Sequence, residues 1–305
     1  MSLDEATAGF LAQAAEGGGK PLYEMTPDEV RAMNDDFIGL YGPGPEMTDV
    51  ENVTVEAADG HSIPVRILTP SSTPRGVFVY YHGGGWVVGN PDQFDTLARQ
   101  LAAGTGCTVV LPDYRLAPEN VYPAAANDAW DVLTWTAARH PDLPLIVGGD
   151  SSGGNLAAVV AQQAARQNGP RLDLQVLVYP VTDSDTENAT YLDPANQLML
   201  DKKAMDWFWD LYTPDPSTRA NANVSPLQGD VANTAPAIVL IAEYDVLRGE
   251  GEAYAAKLEA AGVPVQLRVF DGQMHGFFQF VNILPGSAAG VEYVSSTVTR
   301  HLDSL

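Results

Sequence analysis

Gly149-Asp150-Ser151-Ser152-Gly153-Gly154 follows the apolar run LPLIV and leads into Asn155-Leu156-Ala157-Ala158, a helix-forming stretch. A G-x-S-x-G between a strand and a helix is a nucleophile elbow: its glycines leave room for a strained turn that lifts the Ser151 hydroxyl above a sheet. Such a hydroxyl is a weak nucleophile at neutral pH until a base takes its proton. The chain has five histidines. His61 in a hairpin turn, His140 before a proline and His301 in the terminal helix read as surface residues. His82 precedes the serine, and the three glycines after it suggest another role. His275, in D-G-Q-M-H-G-F just after the last apolar run, is the expected base. An acid must fix its tautomer, and Asp245 after AIVLIAEY completes the chain order serine, acid, histidine. Asp183 and Asp185, one strand earlier, are the alternatives.

Cleavage of an ester or amide builds negative charge on the carbonyl oxygen, which preorganised N–H groups must receive. His82-Gly83-Gly84-Gly85-Trp86 after GVFVYY has the H-G-G-G form that supplies them, so Gly83 and Gly84 are expected donors together with Ser152, the residue after the nucleophile. A phosphate-cradling loop is disfavoured, since neither G-x-G-x-x-G nor a Walker lysine is present. No H-E-x-x-H, cysteine pair or histidine cluster suggests a metal.

The elements that must position these groups are legible as hydrophobic patterns. Thr26-Pro27-Asp28-Glu29 is a capping box with proline at the first helical position, which predicts a short helix. Residues 52–57 and 62–68 alternate around Asp59-Gly60 as a hairpin. Six short apolar runs follow, at 76–81, 107–111, 145–149, 174–180, 237–242 and 265–270. Runs apolar on both faces belong to a parallel sheet covered by helices, here expected around 94–104, 127–139, 154–167 and 250–261. The reading is an α/β sheet of about eight strands. Between 180 and 237 the rhythm breaks, leaving an excursion with a helix from Asp201. Its apolar residues Met205, Phe208, Trp209 and Tyr212 recur at helical spacing, as packing residues do, although excursions of this length are often lids.

The charge balance, 16 Lys plus Arg against 39 Asp plus Glu for a net −23, argues against nucleic acid. Cys107, the only cysteine, reads as a small apolar filler at a strand start. The N-terminus has acids where a signal peptide needs bases, and no apolar run is long enough for a membrane span, so a cytoplasmic location is expected.

Taken together, HGGGWVVG (82–89), DYRLAPE (113–119), YPAAANDAW (122–130), GGDSSGGNLA (148–157), YPVTD (179–183), EYDVLRGEG (243–251) and HGF (275–277) resemble the hormone-sensitive-lipase-like family of α/β-hydrolase esterases, in the branch with a GDSAGG-type elbow. Ser152 stands where alanine is usual, and Val246 and Gly249 depart from the common D-P-L-R-D. The resemblance implies an α/β-hydrolase fold with an eight-stranded, mostly parallel sheet and a helical cap, and no cofactor. It divides the chain into N-terminal cap helices (1–45), core (46–182), cap insertion (183–228) and core again (229–305). It also implies hydrolysis of short- to medium-chain carboxylic esters, small-molecule substrates and homodimers through the sheet edge. Trp86, Trp207, Phe208, Tyr212 and Phe277 are candidates for an apolar substrate pocket. The same machinery could cleave amides, and a receptor-like homologue would bind without turnover.

The acidic surface has two readings, ordinary solubilisation or adaptation to high salt. A melting temperature that climbs substantially from low to molar salt is expected of a salt-adapted surface, and a flat response of an ordinary one.

Overall fold

The computed structural model describes residues 2–305. Eight strands form one sheet: β1 (Asp49–Glu56), β2 (Ser62–Thr69), β3 (Val77–Tyr81), β4 (Thr108–Pro112), β5 (Leu145–Asp150), β6 (Leu174–Val178), β7 (Ala237–Tyr244) and β8 (Val265–Met274). Their order is β1-β2-β4-β3-β5-β6-β7-β8. The hairpin expected around Asp59-Gly60 is the antiparallel β1/β2 pair, in which Glu56 faces Ser62; β2 is also antiparallel to β4, and the other pairs are parallel.

The continuous apolar runs are explained by the period of two. Val77, Val79 and Tyr81 of β3 belong to one core layer, Phe78 and Tyr80 to the other, and all five are buried. The first layer is completed by α5 (Ala124–Arg139), α6 (Ser152–Gln167) and α9 (Arg248–Ala260), the second by α4 (Pro91–Thr105) and α10 (Pro285–Leu302). Cys107 fills the second layer, and burial pushes its thiol up to about 11.

Shorter elements gather at the carboxyl ends of the strands. They are α1 (Glu5–Glu16), α2 (Pro27–Asp35), α3 (Ile38–Tyr41), α7 (Ala189–Leu192) and α8 (Lys202–Tyr212). The capping box is present in α2, where Thr26 Oγ1 accepts the Glu29 N–H and Glu29 accepts the Thr26 N–H. Asp201 caps α8, whose Met205, Phe208, Trp209 and Tyr212 are all buried. Helix α1 is not expected from the sequence; only Thr7 in it is buried, although Ala6, Phe10 and Leu11 pack on the second layer, Phe10 with its ring 4.8 Å from that of Phe280. Polar contacts also hold it: Asp4 caps it, the Asp4 N–H donates to Gly272 O at 3.1 Å, and Gln273 Nε2 donates to Asp4 at 2.7 Å.

The D-Y-R-L-A-P-E segment braces the loop after β3. Tyr114 OH donates to His82 O at 2.8 Å and the Ala117 N–H to Trp86 O at 2.8 Å. Arg31 of α2 joins the same scaffold, donating to Val87 O, Ala117 O and the Glu119 carboxylate, which this contact holds down at about 2. The segment is itself locked by Arg115, whose guanidinium and backbone N–H all bind the fully buried Asp128 carboxylate, the closest contact at 2.6 Å. Removing one partner of a buried pair strands the other charge. Arg115→Ala should therefore lower unfolding free energy by about 3–5 kcal/mol; a denaturant titration giving less than about 1 kcal/mol would contradict that role.

Candidate active site

Ser151 sits between the carboxyl end of the central strand β5 and the first turn of α6, at φ 54° and ψ −120°. That region is costly for a non-glycine residue, so the surroundings must hold it. The Ser151 N–H donates to Val178 O at 2.9 Å, and its carbonyl accepts the N–H groups of Asn155 and Val181. The tightness requires glycine at 153, since a Cβ there would drive into the Tyr81 carbonyl oxygen. The Ser151 hydroxyl is aimed at the cavity above the sheet.

His275, in the turn after β8, brings Nε2 to 3.1 Å from Ser151 Oγ. Its Nδ1 lies 2.7 Å from Asp245 Oδ2. A carboxylate only accepts, so Nδ1 carries the proton and Nε2 presents a lone pair to the serine hydroxyl. Asp245 follows β7, is buried, and is oriented by the Leu247 N–H donating to Oδ1 at 2.9 Å. The alternatives lie elsewhere. Asp183 accepts from the Ser184 N–H and Gln228, and Asp185 from the Glu187 N–H. His61 is exposed, and His140 and His301 are half-buried at helix ends. His82 is buried against the Tyr114 ring, 4.2 Å away and nearly parallel, and burial lowers it to about 4. Its neutral Nδ1–H donates to Gly83 O at 2.8 Å, so it shapes the glycine loop rather than titrating.

The glycine loop corrects one expectation. The Gly83 N–H is not free: it donates to Asp150 Oδ1 at 3.0 Å. The backbone N–H groups of Gly84, Gly85 and Ser152 have no backbone acceptor among the described residues. Gly84 at φ 118° and Gly85 at φ 59° take a path that side chains resist, and a Cβ on Gly85 would overlap the Phe208 ring. Asp150 is the residue that sequence reasoning missed, although it lies inside the elbow motif. It is buried, accepts Tyr80 OH at 2.9 Å besides Gly83, and is pushed up to about 6 by desolvation against the hydrogen bonds that favour its charge.

Residues 78–279 match the family model described as the alpha/beta hydrolase fold. An ethyl acetate hydrolase of Pseudomonas putida is 36% identical, the alignment spanning 99% of this chain and 100% of that protein. The carboxylic ester hydrolase LipN of Mycobacterium tuberculosis is 39% identical over 85% of this chain and 73% of its own. The chain belongs to the hormone-sensitive-lipase-like family of α/β-hydrolases. A crystal structure of a thermostable esterase from Pseudomonas putida superposes with a TM-score of 0.92 at 35% identity, covering 99% of this chain and 98% of that one. A hyperthermophilic esterase from the archaeon Pyrobaculum calidifontis gives 0.92 at 33%, covering 98% and 99%.

In this α/β-hydrolase the cavity over Ser151 measures about 270 Å³. Of the five aromatics expected to line it, Phe208 does and four do not. Trp86 is stacked on Tyr212 at 4.2 Å beneath α8, so both are scaffold. Trp207 packs edge-on against Phe208, and Phe277 is buried against Phe270 and Tyr179. Orientation on a helix or tight turn decides this, and composition does not carry it. The actual walls include Val30, Met33, Phe37 and Tyr41 from the N-terminal segment and Phe94 and Phe280 from below. Among the described residues, no helix is long and apolar enough to cross a membrane.

Asp150 binds its proton more tightly folded than at the ordinary value of 3.8. Its stabilising contribution is then full at low pH and lost as pH rises through about 6, a difference of about 3 kcal/mol. Asp150→Asn keeps an acceptor for Gly83 but cannot titrate. Its stability should fall about 2 kcal/mol less than that of the parent between pH 4 and pH 7, read by denaturant titration; parallel pH curves would refute the shift.

Proposed function

We propose that this carboxylic ester hydrolase works by two-step acyl transfer on Ser151, with His275 as base and Asp245 as its orienting acid. The observation that carries the reading is the unbroken line Asp245 Oδ2, His275 Nδ1, His275 Nε2, Ser151 Oγ, with spacings of 2.7 Å and 3.1 Å. His275 takes the hydroxyl proton as Oγ attacks the ester carbonyl carbon. The tetrahedral intermediate then collapses, and the alcohol leaves with the proton held on Nε2. Water, deprotonated by the same imidazole, attacks the acyl-enzyme and releases the acid and the free serine.

The charge that develops on the carbonyl oxygen is assigned to the N–H groups of Gly84, Gly85 and Ser152. Two observations support this: the Gly83 N–H is engaged with Asp150, whereas those of Gly84 and Gly85, which border the same cavity as Ser151, have no backbone acceptor among the described residues. Losing one such donor typically costs roughly a hundredfold in rate. Residues 1–45 and 183–228 act as the cap, a reading supported by the wall residues that they supply, Met33, Phe37 and Tyr41 from one and Met199, Leu200, Met205 and Phe208 from the other.

Substrates are short- to medium-chain acyl esters. The cavity lies at or below the roughly 300–1,000 Å³ of sites that enclose drug-sized ligands, and the Pseudomonas putida relative is named for ethyl acetate. A place in the cytoplasm and assembly as a homodimer complete the proposal.

Ser151→Ala is expected to abolish turnover across p-nitrophenyl esters from acetate to palmitate, with parental activity peaking at short chains and the thermal midpoint nearly unchanged. Retained activity would remove Ser151 from the mechanism. Asp245→Asn should cost far more rate than Asp183→Asn, because only Asp245 holds the histidine tautomer; the reverse order would move the acid to the loop after β6.

A further inference from the structure

The cavity over Ser151 has two chemically different walls. One is built from Val30, Leu200, Met205 and Phe208, which belong to the core layer of α5 and α6. These four side chains are apolar, and Asn34 of α2 borders the same cavity near Val30. The opposite wall is built from Tyr41, Phe94 and Phe280 of the other layer, with Gln279 beside them. This second wall carries two hydrogen-bonding side chains without a side-chain partner among the described residues. The Gln279 side-chain amide has no hydrogen-bond partner among the described residues, whereas its backbone is engaged on both sides, the N–H with Gly276 O at 3.1 Å and the carbonyl with the Val281 N–H at 2.8 Å. The Tyr41 phenol likewise makes no side-chain hydrogen bond there, and burial near Asp150 raises it, so it stays neutral.

Gln279 is also placed beside the reacting groups. Its Nε2 lies 3.7 Å from where a Cβ on Gly276 would stand, and Gly276 directly follows His275. Gly276 has φ 83°, borders the cavity and adds no side chain of its own; the Phe280 ring, 3.4 Å from the same point, stands beside the amide. His275 must deliver its proton to the leaving oxygen, so the alcohol arm of a bound ester lies on the His275 side of Ser151.

We propose that Gln279, with Tyr41, forms a neutral hydrogen-bonding subsite for the alcohol arm, selecting esters of alcohols that carry a further ether, hydroxyl or carbonyl oxygen. The inference rests on the assignment of Ser151 and His275 made above. A carboxylate on that arm is disfavoured, since the cavity is lined by no lysine or arginine and contains Asp150. The apolar wall takes the acyl chain. Gln279 is thus a specificity-determining residue: its amide N–H donates to the extra oxygen, which an alkyl arm leaves unmatched.

The test uses two matched pairs that differ by one CH₂ replaced with oxygen. Butyl butanoate against 2-methoxyethyl butanoate varies the alcohol arm; butyl pentanoate against butyl 3-methoxypropanoate varies the acyl arm. Dividing the parental kcat/KM ratio within each pair by that of Gln279→Leu cancels intrinsic reactivity and any effect of the substitution common to both esters. The preference for methoxyethyl over butyl is expected to fall about three- to tenfold in the variant, the range of one neutral hydrogen bond, and to do so through KM. The acyl pair should keep its ratio. Gln279→Met, closer in shape, should show the same loss, which separates lost hydrogen bonding from misfolding. An unchanged ratio in the alcohol pair, or a change confined to the acyl pair, overturns the proposal. Failure of the underlying reading would look different: Ser151→Ala would then hydrolyse all four esters.

Discussion

A serine held at φ 54° between a central strand and a helix is the constraint on which the rest of this molecule depends. The conformation is unfavourable alone and survives because three backbone hydrogen bonds close around it and because α6 comes close enough for Gly153 to touch the Tyr81 carbonyl. A residue with a side chain at 153 would push the helix away and release the turn. The parallel strands on either side serve that turn: β6 receives its N–H, the end of β3 lies against its helix, and the loops after β7 and β8 deliver the acid and the base.

Buried carboxylates are the second recurring device, and each is handled differently. Asp128 is saturated by one arginine and fastens the loop behind the glycines. Asp245 is divided between a backbone N–H and the imidazole. Asp150 has a phenol and the Gly83 N–H but no cation at hydrogen-bond distance, so desolvation dominates and it titrates near 6. Glu250 accepts the N–H groups of Thr182 and Asp183, tying α9 to the loop that also receives Ser151 O, and burial raises it well above an ordinary carboxyl. A chain with a surplus of acids thus sets four of them inside, three in or beside the loops that shape the site. What each is given to bind, a cation, an imidazole or only neutral donors, sets how well its buried charge is compensated.

The cavity lies where the two core layers meet above the sheet. Each layer contributes its own residues to the shared space, Val30, Leu200, Met205 and Phe208 from one and Tyr41, Phe94 and Phe280 from the other. The segments before β1 and between β6 and β7 reach it from above, so substrate shape is read by parts of the chain far apart in sequence.

The sequence by itself determined the sheet and pointed to the groups proposed to react. Continuous apolar runs can only be strands buried on both faces, and the G-x-S-x-G, H-G-G-G and final histidine stand in local contexts that leave few other uses. Local backbone conformation and burial are encoded by neighbours in the chain, which is why Ser151, His275, Asp245 and the helix from Asp201 were legible. What only the tertiary structure decided is which groups are already engaged and which way side chains face. Gly83 and Gly84 are alike in sequence, but the buried Asp150 carboxylate takes the N–H of one and leaves the other free. Trp86 and Phe277 turned into the scaffold and Met33, Phe37 and Tyr41 into the cavity because packing between distant segments sets those orientations. Helix α1 was not foreseen because its apolar face, Ala6, Phe10 and Leu11, is only partly buried and its place is fixed by contacts of Asp4 with Gln273 and Gly272. Such contacts join residues hundreds of positions apart, and no local spacing records them.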